Sequence, residues 1–153
     1  MASDETRYIQ GGRSDRVFNA LVKRLTAAGI SLYGSRILAV RGRVSGEWRT
    51  NPVNPLKLGG QRYLVAPRGH TQWVRNLRAA GEGELRLGWR AERFTATELA
   101  DADKPPILRA YLKRWKFEVG MFFDGVGPDA PDSKLAEIAP GYPVFRIITA
   151  PRG

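Results

Sequence analysis

The sequence predicts a mainly β fold with added helices: a six-stranded antiparallel barrel preceded by an N-terminal helix. Short strand-like segments follow one another through tight turns, which is typical of antiparallel sheets. A Ser-Gly pair at 45–46 and a Gly-Gly pair at 59–60 supply two of those turns. Closing the sheet, or nearly closing it, hides the edges that an open sheet would expose.

The N-terminal part of the chain predicts one helix after a loose start. Residues 1–15 are polar, so we expect them to be flexible, and we expect a single domain over 16–153. Apolar residues recur at three- and four-residue spacing over 16–28, which indicates an amphipathic helix with a basic outer face. We expect it to pack on the core of the domain. Peripheral contact with a membrane is the alternative.

Six segments read as strands, because they alternate or are rich in β-branched and aromatic residues. These are residues 37–40, 50–58, 62–66, 84–87, 90–99 and 142–149. The second segment contains Pro52 and Pro55. Since proline cannot donate a ladder hydrogen bond, we expect this segment at a sheet edge or a bulge.

Helices are predicted between the strands. Residues 71–80 carry an apolar stripe of Trp73, Val74 and Leu77, and Gly81 follows as a C-cap. A second helix begins at the prolines 105–106 and continues to about residue 119. A further helical turn is expected over 134–138.

The composition restricts the chemistry. The 153 residues include no cysteine and one histidine, which excludes disulfides, thiolate chemistry and a multi-histidine metal site, so we expect no metal. The net charge of +10 is concentrated in residues 36–93, where 12 basic side chains stand against 4 acidic ones. Such a field favours an anionic partner, whether nucleic acid, an acidic membrane or a polyanionic small molecule. The polar start predicts a cytoplasmic protein.

The densest group of anion-binding residues lies in the first predicted hairpin. Residues 41–46 bring two arginines (Arg41 and Arg43), the hydroxyl of Ser45 and two glycines, Gly46 among them, within six residues, and the glycines expose backbone N–H groups in a tight turn. Arg49 follows three residues after Gly46, where it can return across the hairpin. A second basic turn, at Arg68 and Gly69, leads into the helix over 71–80, whose N-terminus also favours an anion. A phosphate or carboxylate site beside aromatic side chains is one reading; a solvated hairpin tip is the other.

Three segments together resemble a known family. Residues 42–52 (GRVSGEWRTNP) resemble the G-R-x-[ST]-G-x-x-R-x-x-P signature of the deazaflavin-dependent nitroreductases, actinobacterial oxidoreductases that use coenzyme F420. Residues 63–69 (YLVAPRG) and 73–79 (WVRNLRA) resemble the strand, the basic-glycine turn and the W-x-x-N-[LP]-[RK]-A helix that follow in that family. The order and spacing agree, and the resemblance covers residues 36–99.

This resemblance implies a fold and a cofactor site. The fold would be a split β-barrel of the flavin-reductase or pyridoxamine-phosphate-oxidase type, and the cofactor F420 rather than flavin mononucleotide. The anionic tail of F420 would lie against Arg43, Ser45, Gly46, Arg49, Arg68 and Gly69. The deazaflavin ring would be flanked by Asn51, Pro52, Val53, Ala66, Trp73, Asn76 and Leu77.

The implied function is hydride transfer from reduced F420 to a conjugated small-molecule acceptor such as a quinone, an enone or a nitroaromatic. The proton comes from solvent or from a side chain, for which Tyr142 and His70 are candidates. Two alternatives stay open: a non-catalytic module that binds F420 or a flavin, and a basic nucleic-acid-binding protein. The latter lacks a recognisable helix-turn-helix or RNA-binding signature. The sequence leaves monomer and dimer equally open.

Overall fold

A computed structural model describes residues 34–119 and 122–149 of the chain. Within these ranges the backbone forms one antiparallel sheet of seven strands. The strands are β1 (Arg36–Arg41), β2 (Trp48–Val53), β3 (Leu56–Leu58), β4 (Gln61–Val65), β5 (Glu82–Leu87), β6 (Arg90–Glu98) and β7 (Val144–Thr149). The predicted fold class is confirmed, and the antiparallel pairing follows from the short turns between successive strands.

Three α-helices interrupt the strands in the described part of the chain. They are α1 (Gln72–Ala80), α2 (Pro105–Val119) and α3 (Asp132–Ile138). Short 3-10 helices, Asp101–Asp103 and Ala139–Gly141, precede α2 and follow α3. Gly81 ends α1 in the left-handed conformation, with φ of 70°, and its N–H bonds to the carbonyl of Leu77. This is the C-cap that the sequence predicts.

The order of the strands across the sheet is β2-β1-β5-β6-β7-β4-β3. The two outermost strands, β2 and β3, are consecutive in the chain, with only residues 54–55 between them. A three-residue step spans at most about 11 Å, so the two edges of the sheet must come close at that corner. The sheet is therefore rolled into a nearly closed barrel.

The prediction of six strands is wrong by one, because the segment 50–58 divides into β2 and β3. Pro55 lies at the break and has no N–H for a ladder. The register shows the consequence: Pro52 on β2 lies opposite Ile37 of β1, whereas Leu56 on β3 lies opposite Tyr63 of β4. The chain thus changes sheet partner at the prolines, and both halves are edge strands as expected.

Two apolar clusters form the core, and they lie on opposite faces of the sheet. One fills the barrel and includes Leu38, Leu64, Leu85 and Phe145 of the strands, closed by α1. The other packs α2 and α3 on the outer face; its members are Leu56, Val65, Ile107, Leu108, Tyr111, Leu112, Trp115, Phe123, Val126, Leu135, Ile138, Ala139, Tyr142 and Val144. Val74 and Leu77 of α1 are fully buried in the first cluster, so α1 has a fixed position beside β1 and β2.

Three expectations fall outside the described residues. They are the loose segment 1–15, the helix over 16–28 and the contact of that helix with a membrane. In the described ranges, no helix combines the length and apolar character needed to cross a bilayer.

Candidate functional site

The β1–β2 turn, residues 42–47, is a compact loop held by its own hydrogen bonds. The N–H of Gly42 bonds to the carbonyl of Glu47 at 2.8 Å, and the N–H of Gly46 bonds to the carbonyl of Gly42 at 2.9 Å. Ser45 Oγ accepts the N–H of Glu47 at 3.2 Å. Gly46 has φ of 73°, a left-handed conformation that favours glycine. The Ser-Gly turn predicted from the sequence is confirmed.

A single buried amide ties this turn to α1. Asn76 Oδ1 accepts two hydrogen bonds from Arg43, one from its backbone N–H at 3.1 Å and one from Nη1 at 2.7 Å. Since an amide nitrogen cannot accept, these two donors identify the atom facing Arg43 as the oxygen. Asn76 is only 5% exposed, whereas Arg43 is exposed.

The turn, β2 and the start of α1 enclose a cleft of about 670 Å³. This volume lies within the range typical of small-molecule sites. The cleft is lined by Gly42, Arg43, Val44, Ser45, Trp48, Arg49, Thr50, Asn51, Gln72, Trp73 and Asn76. In register, Arg49 lies opposite Val40 and Asn51 opposite Leu38, so both share the face of the sheet that lines the barrel.

Both tryptophans of the cleft are packed against neighbouring side chains that lie outside its lining. The centre of the Trp73 ring lies 6.1 Å from that of the Phe145 ring. Trp73 is half-buried, whereas its place in the predicted apolar stripe suggested that it would be fully buried. The guanidinium carbon of Arg41 lies 4.1 Å from the centre of the Trp48 ring, and that of Arg86 lies 5.1 Å from it. Both distances are in the cation–π range.

The first turn of α1 adds an electropositive element. Thr71 is the N-cap residue and is buried, yet its side chain makes no capping bond. In the described ranges, its Oγ1 is buried without a hydrogen-bond partner. The next two residues, Gln72 and Trp73, line the cleft. A helix N-terminus with an unused hydroxyl favours an anion nearby.

Of the residues expected at the cofactor, the structure brings six together in the cleft: Arg43, Ser45, Arg49, Asn51, Trp73 and Asn76. The other seven lie elsewhere. Val53, Ala66 and Leu77 are buried in the cluster inside the barrel. Gly46 belongs to the turn behind the lining, and Pro52 lies half-buried on β2.

Arg68 and Gly69, the second basic turn, are also absent from the lining of the cleft. The guanidinium carbon of Arg68 lies 4.9 Å from the centre of the Phe122 ring. Gly69 is buried, with φ of 87°, and its N–H bonds to the carbonyl of Ala66. Its left-handed backbone allows the chain to turn from β4 into α1.

The two candidate proton donors are engaged away from the cleft. Tyr142 is buried, its hydroxyl donates to the carbonyl of Phe122, and its ring stacks on Phe123 with centres 4.2 Å apart. His70 Nε2 lies 3.1 Å from the carbonyl of Pro140 and therefore donates its proton to it. His70 Nδ1 then accepts from Arg78 Nη2 at 3.4 Å.

The site prediction omitted Gly42, Val44, Trp48, Thr50 and Gln72, which also line the cleft. Trp48, Thr50 and Val44 lie within the motif over 42–52, so their closeness in sequence to Arg43 and Arg49 was the available signal, whereas alternation along β2 separates Trp48 and Thr50 from Arg49 and Asn51. A second depression, of about 410 Å³, lies in the loop over 124–134 and includes Asp124 and Asp129, which makes it unsuited to an anion. Within the described ranges, no cluster of three or more histidine or acidic side chains has a geometry that could hold a metal ion.

The cleft suits the cofactor that the resemblance implies. F420 combines a flat tricyclic ring with a phosphodiester and a carboxylate tail. The cleft offers the ring of Trp73 and the border of the Trp48 ring for the former, and two arginines and an uncapped helix start for the latter. The donors are therefore cationic or neutral, which matches an anionic tail.

Comparison with solved structures shows the same fold. An F420-H2 dependent reductase, FDR-A, superposes with a TM-score of 0.52 at 17% identity, covering 75% of this chain and 94% of that one. The protein Atu2129 from Agrobacterium tumefaciens, of unknown function, gives a TM-score of 0.52 at 17% identity over 76% of this chain, which spans 48% of that protein. A structure described as a domain-swapped dimer gives 0.55 at 17% identity, covering 90% of this chain and all of the other.

No curated protein matches the chain. The family model described as F420H(2)-dependent quinone reductase matches residues 14–117, which is more than half of the chain. The resemblance to a deazaflavin-dependent split-barrel family is thus confirmed. The chain belongs to the F420H(2)-dependent quinone reductase family and is an oxidoreductase whose cofactor is coenzyme F420.

Proposed function

We propose that this protein reduces a quinone with hydride from reduced F420, and that the cleft between the β1–β2 turn, β2 and α1 is the active site. The observation that carries the proposal is the meeting of Arg43, Arg49, Trp48 and Trp73 in one cleft. Enones and nitroaromatics are the competing acceptor classes. The matched family favours the quinone.

The two arginines of the cleft hold the anionic tail of the cofactor. Arg49 is exposed and Arg43 is anchored by Asn76, so one is adaptable and the other is fixed. Each supplies charge-assisted hydrogen bonds to phosphate or carboxylate oxygens. The hydroxyl of Ser45 and the N-terminus of α1 contribute further donors.

The tryptophans and the amide side chains orient the ring. When bound, the deazaflavin ring supplies the hydride. Trp73 offers a flat apolar face that excludes water from one side of a planar group, and the Trp48 ring, which packs against Arg41 and Arg86, borders the cleft. Asn51 faces the barrel side of β2 and offers a donor and an acceptor for ring substituents. The part of the cleft beside the tryptophans is then where a flat acceptor stacks.

A titration tests cofactor binding first. F420 fluorescence is followed while the purified chain is added, with flavin mononucleotide as competitor. We expect saturable quenching that flavin mononucleotide displaces only at much higher concentration. If F420 does not bind, while DNA is retained in a salt-dependent manner, the nucleic-acid-binding alternative is correct.

A turnover assay then separates the acceptor classes. Reduced F420 is mixed with menadione, with a cyclic enone and with a nitroaromatic, and the return of F420 absorbance is recorded. We expect the largest kcat/KM for the quinone. Tight F420 binding without turnover of any acceptor would indicate a non-catalytic module instead.

A further inference from the structure

The contact between Asn76 and Arg43 joins the cleft's two walls. The bonds of Gly42, Ser45 and Gly46 stay within the β1–β2 turn. Asn76 differs, because its Oδ1 reaches from α1 to a residue 33 positions earlier and accepts two bonds from it. Since Val74 and Leu77 fix α1 in the barrel core, the amide sits on a rigid support.

The chemistry of the acceptor is as informative as its position. A carboxylate at residue 76 would form an ion pair with Arg43 and cancel its charge for any ligand. A neutral amide oxygen holds the same guanidinium without neutralising it. One N–H of Nη1 is used in this bond, and a guanidinium carries five such donors. The arrangement therefore fixes an arginine and keeps it cationic.

We propose that Asn76 is a positioning residue: it acts on the anionic tail of F420 through Arg43, and it must be neutral to do so. This inference rests on the proposed function, since it assumes that the tail lies in the cleft. It assigns to Asn76 a role distinct from direct contact with the ring, which is what the family resemblance implied for this residue.

A double-mutant cycle on the full-length chain tests the route of action. F420 affinity is measured by fluorescence for the wild type, Asn76→Ala, Arg43→Ala and the double variant. We expect about a tenfold loss for Asn76→Ala, the scale of one hydrogen bond to a charged group. In the Arg43→Ala background the same change should cost clearly less than tenfold, because its main target is gone. Full additivity would show that Asn76 acts independently of Arg43 and would overturn the proposal.

Asn76→Asp tests the requirement for neutrality. The carboxylate can accept both bonds, so we expect Tm to be unchanged or higher, yet F420 affinity should fall about tenfold and depend less on salt. A purely structural role predicts that this near-isosteric variant binds F420 like the wild type, and that result would refute the proposal. If the variant has a lowered Tm, the alanine cycle decides.

A matched control separates the test of F420 binding from the test of the role of Asn76. Arg93 is exposed on β6, outside the lining of the cleft. Arg93→Gln removes one positive charge from the chain and should leave F420 affinity within about twofold, because solvent and salt screen an exposed charge that does not line the cleft. Failure of the wild type to bind F420 would refute the proposed function itself. Binding by the wild type with an additive cycle would refute only the role of Asn76.

Discussion

Arg49 and Arg43 line the same cleft but are restrained differently. Arg49 is exposed, and its Nη2 lies 3.9 Å from Glu47 Oε2, a contact between two solvated groups. Such surface pairs contribute little, about 0–1 kcal/mol. The guanidinium of Arg49 can therefore exchange Glu47 for a ligand anion at low cost.

Arg49→Ala should separate binding from chemistry. Loss of a charge-assisted hydrogen bond of roughly 1.5–3 kcal/mol should weaken F420 binding by about one to two decades. If the tail contact is equally strong in the ground and transition states, kcat at saturating F420 should hardly change. Fluorescence titration and steady-state kinetics measure the two quantities, with a melting curve and Arg93→Ala as controls. Unchanged affinity in a folded variant would remove Arg49 from the site.

At the residue scale, the expected site residues share one cleft where the sequence signal was local. Arg43 and Ser45 lie in the β1–β2 turn and Arg49 follows on β2, so their spacing already indicated a shared site. Arg68 has the same chemistry, but its guanidinium lies against Phe122, 54 positions later in the chain. No local pattern encodes such a contact. For the same reason, the engagement of Tyr142 with Phe122 and Phe123 could be found only from the fold.

At the scale of the elements, strand β5 is tightly packed at Gly83 against both of its neighbouring strands, β1 and β6. A Cβ built there would lie 2.8 Å from the carbonyl oxygen of Ala39 on β1 and 3.0 Å from the ring of Phe94 on β6. The backbone oxygen cannot rotate away, unlike a flexible side chain. The glycine thus allows the Phe94 ring to cover the β5 backbone inside the barrel.

Gly83→Ala should accordingly destabilise the barrel by about 1–3 kcal/mol, the usual range for overpacking. Urea unfolding followed by circular dichroism gives the change in the free energy of unfolding. Phe94→Leu added to Gly83→Ala should recover only part of the loss, because the contact with Ala39 remains. A Gly83→Ala variant as stable as the wild type would show that β1 and β5 separate easily.

Helix α1 is also joined to β6 by an ion pair outside the cleft. Arg78 donates from Nε to Glu98 Oε1 and from Nη2 to Glu98 Oε2, both at 2.6 Å. The hydrogen bond to Glu98 raises the pKa of Arg78 above its ordinary value, although burial opposes this. Because the pKa of Arg78 is higher in the folded state, its ionisation stabilises the fold fully at pH values below the pKa of the unfolded state. This stabilisation is lost only when the pH rises through the pKa of the folded state. Both values lie above the working pH range.

Arg78→Ala should therefore lower stability by about 1 kcal/mol, an amount limited by partial exposure of both side chains, without altering the affinity for F420. Between about pH 6 and pH 10 this loss of stability should not change through Arg78, since its guanidinium group stays charged over the whole range. Melting curves across this pH range, paired with F420 titrations, check both statements. A large fall in F420 affinity would show that the position of α1 depends on this pair.

The ends of the strands and helices agree closely with the sequence prediction where glycines give a clear turn or cap signal. The Gly-Gly turn at 59–60 and the cap at Gly81 end their elements as predicted, with positive φ at each glycine. The division between β2 and β3 was missed, because proline marks an edge without specifying which strand pairs on either side. That choice depends on the closure of the whole barrel.

For the whole molecule, the distribution of charge gives a prediction on cofactor choice. The excess of basic side chains in residues 36–93 includes the strands and the turn that form the cleft. A phosphodiester with a carboxylate tail carries more negative charge than the single phosphate of flavin mononucleotide. We expect F420 to bind more tightly, with an affinity that falls as salt is added. Equal, salt-independent affinities measured by fluorescence would contradict this.

The sequence leaves the oligomeric state open between monomer and dimer, and solution measurements decide it. Light scattering of the purified chain at several concentrations distinguishes monomer from dimer. Trp89 and Ile148 are exposed, at 96% and 54%, and they give a dimer two apolar positions to cover. Substituting each with serine should leave a monomer unchanged and weaken a dimer that covers the substituted position.

The position of β2 at the edge of the sheet has a consequence for the timescale of motion. Residues 48–53 pair with β1 on one side, and the seam at Asn54 and Pro55 separates them from β3. In the described sheet, β2 is paired on one side only, whereas Ile37–Ala39 of β1 are paired with β2 on one side and with β5 on the other. In a hydrogen-exchange experiment, the backbone amides of β2 should therefore take up deuterium sooner than those of β1. Bound F420 should slow the exchange of the β2 amides before that of the other strands. One wall of the cleft is thus an edge strand, and we expect it to open locally for a ligand while the strands inside the sheet stay paired.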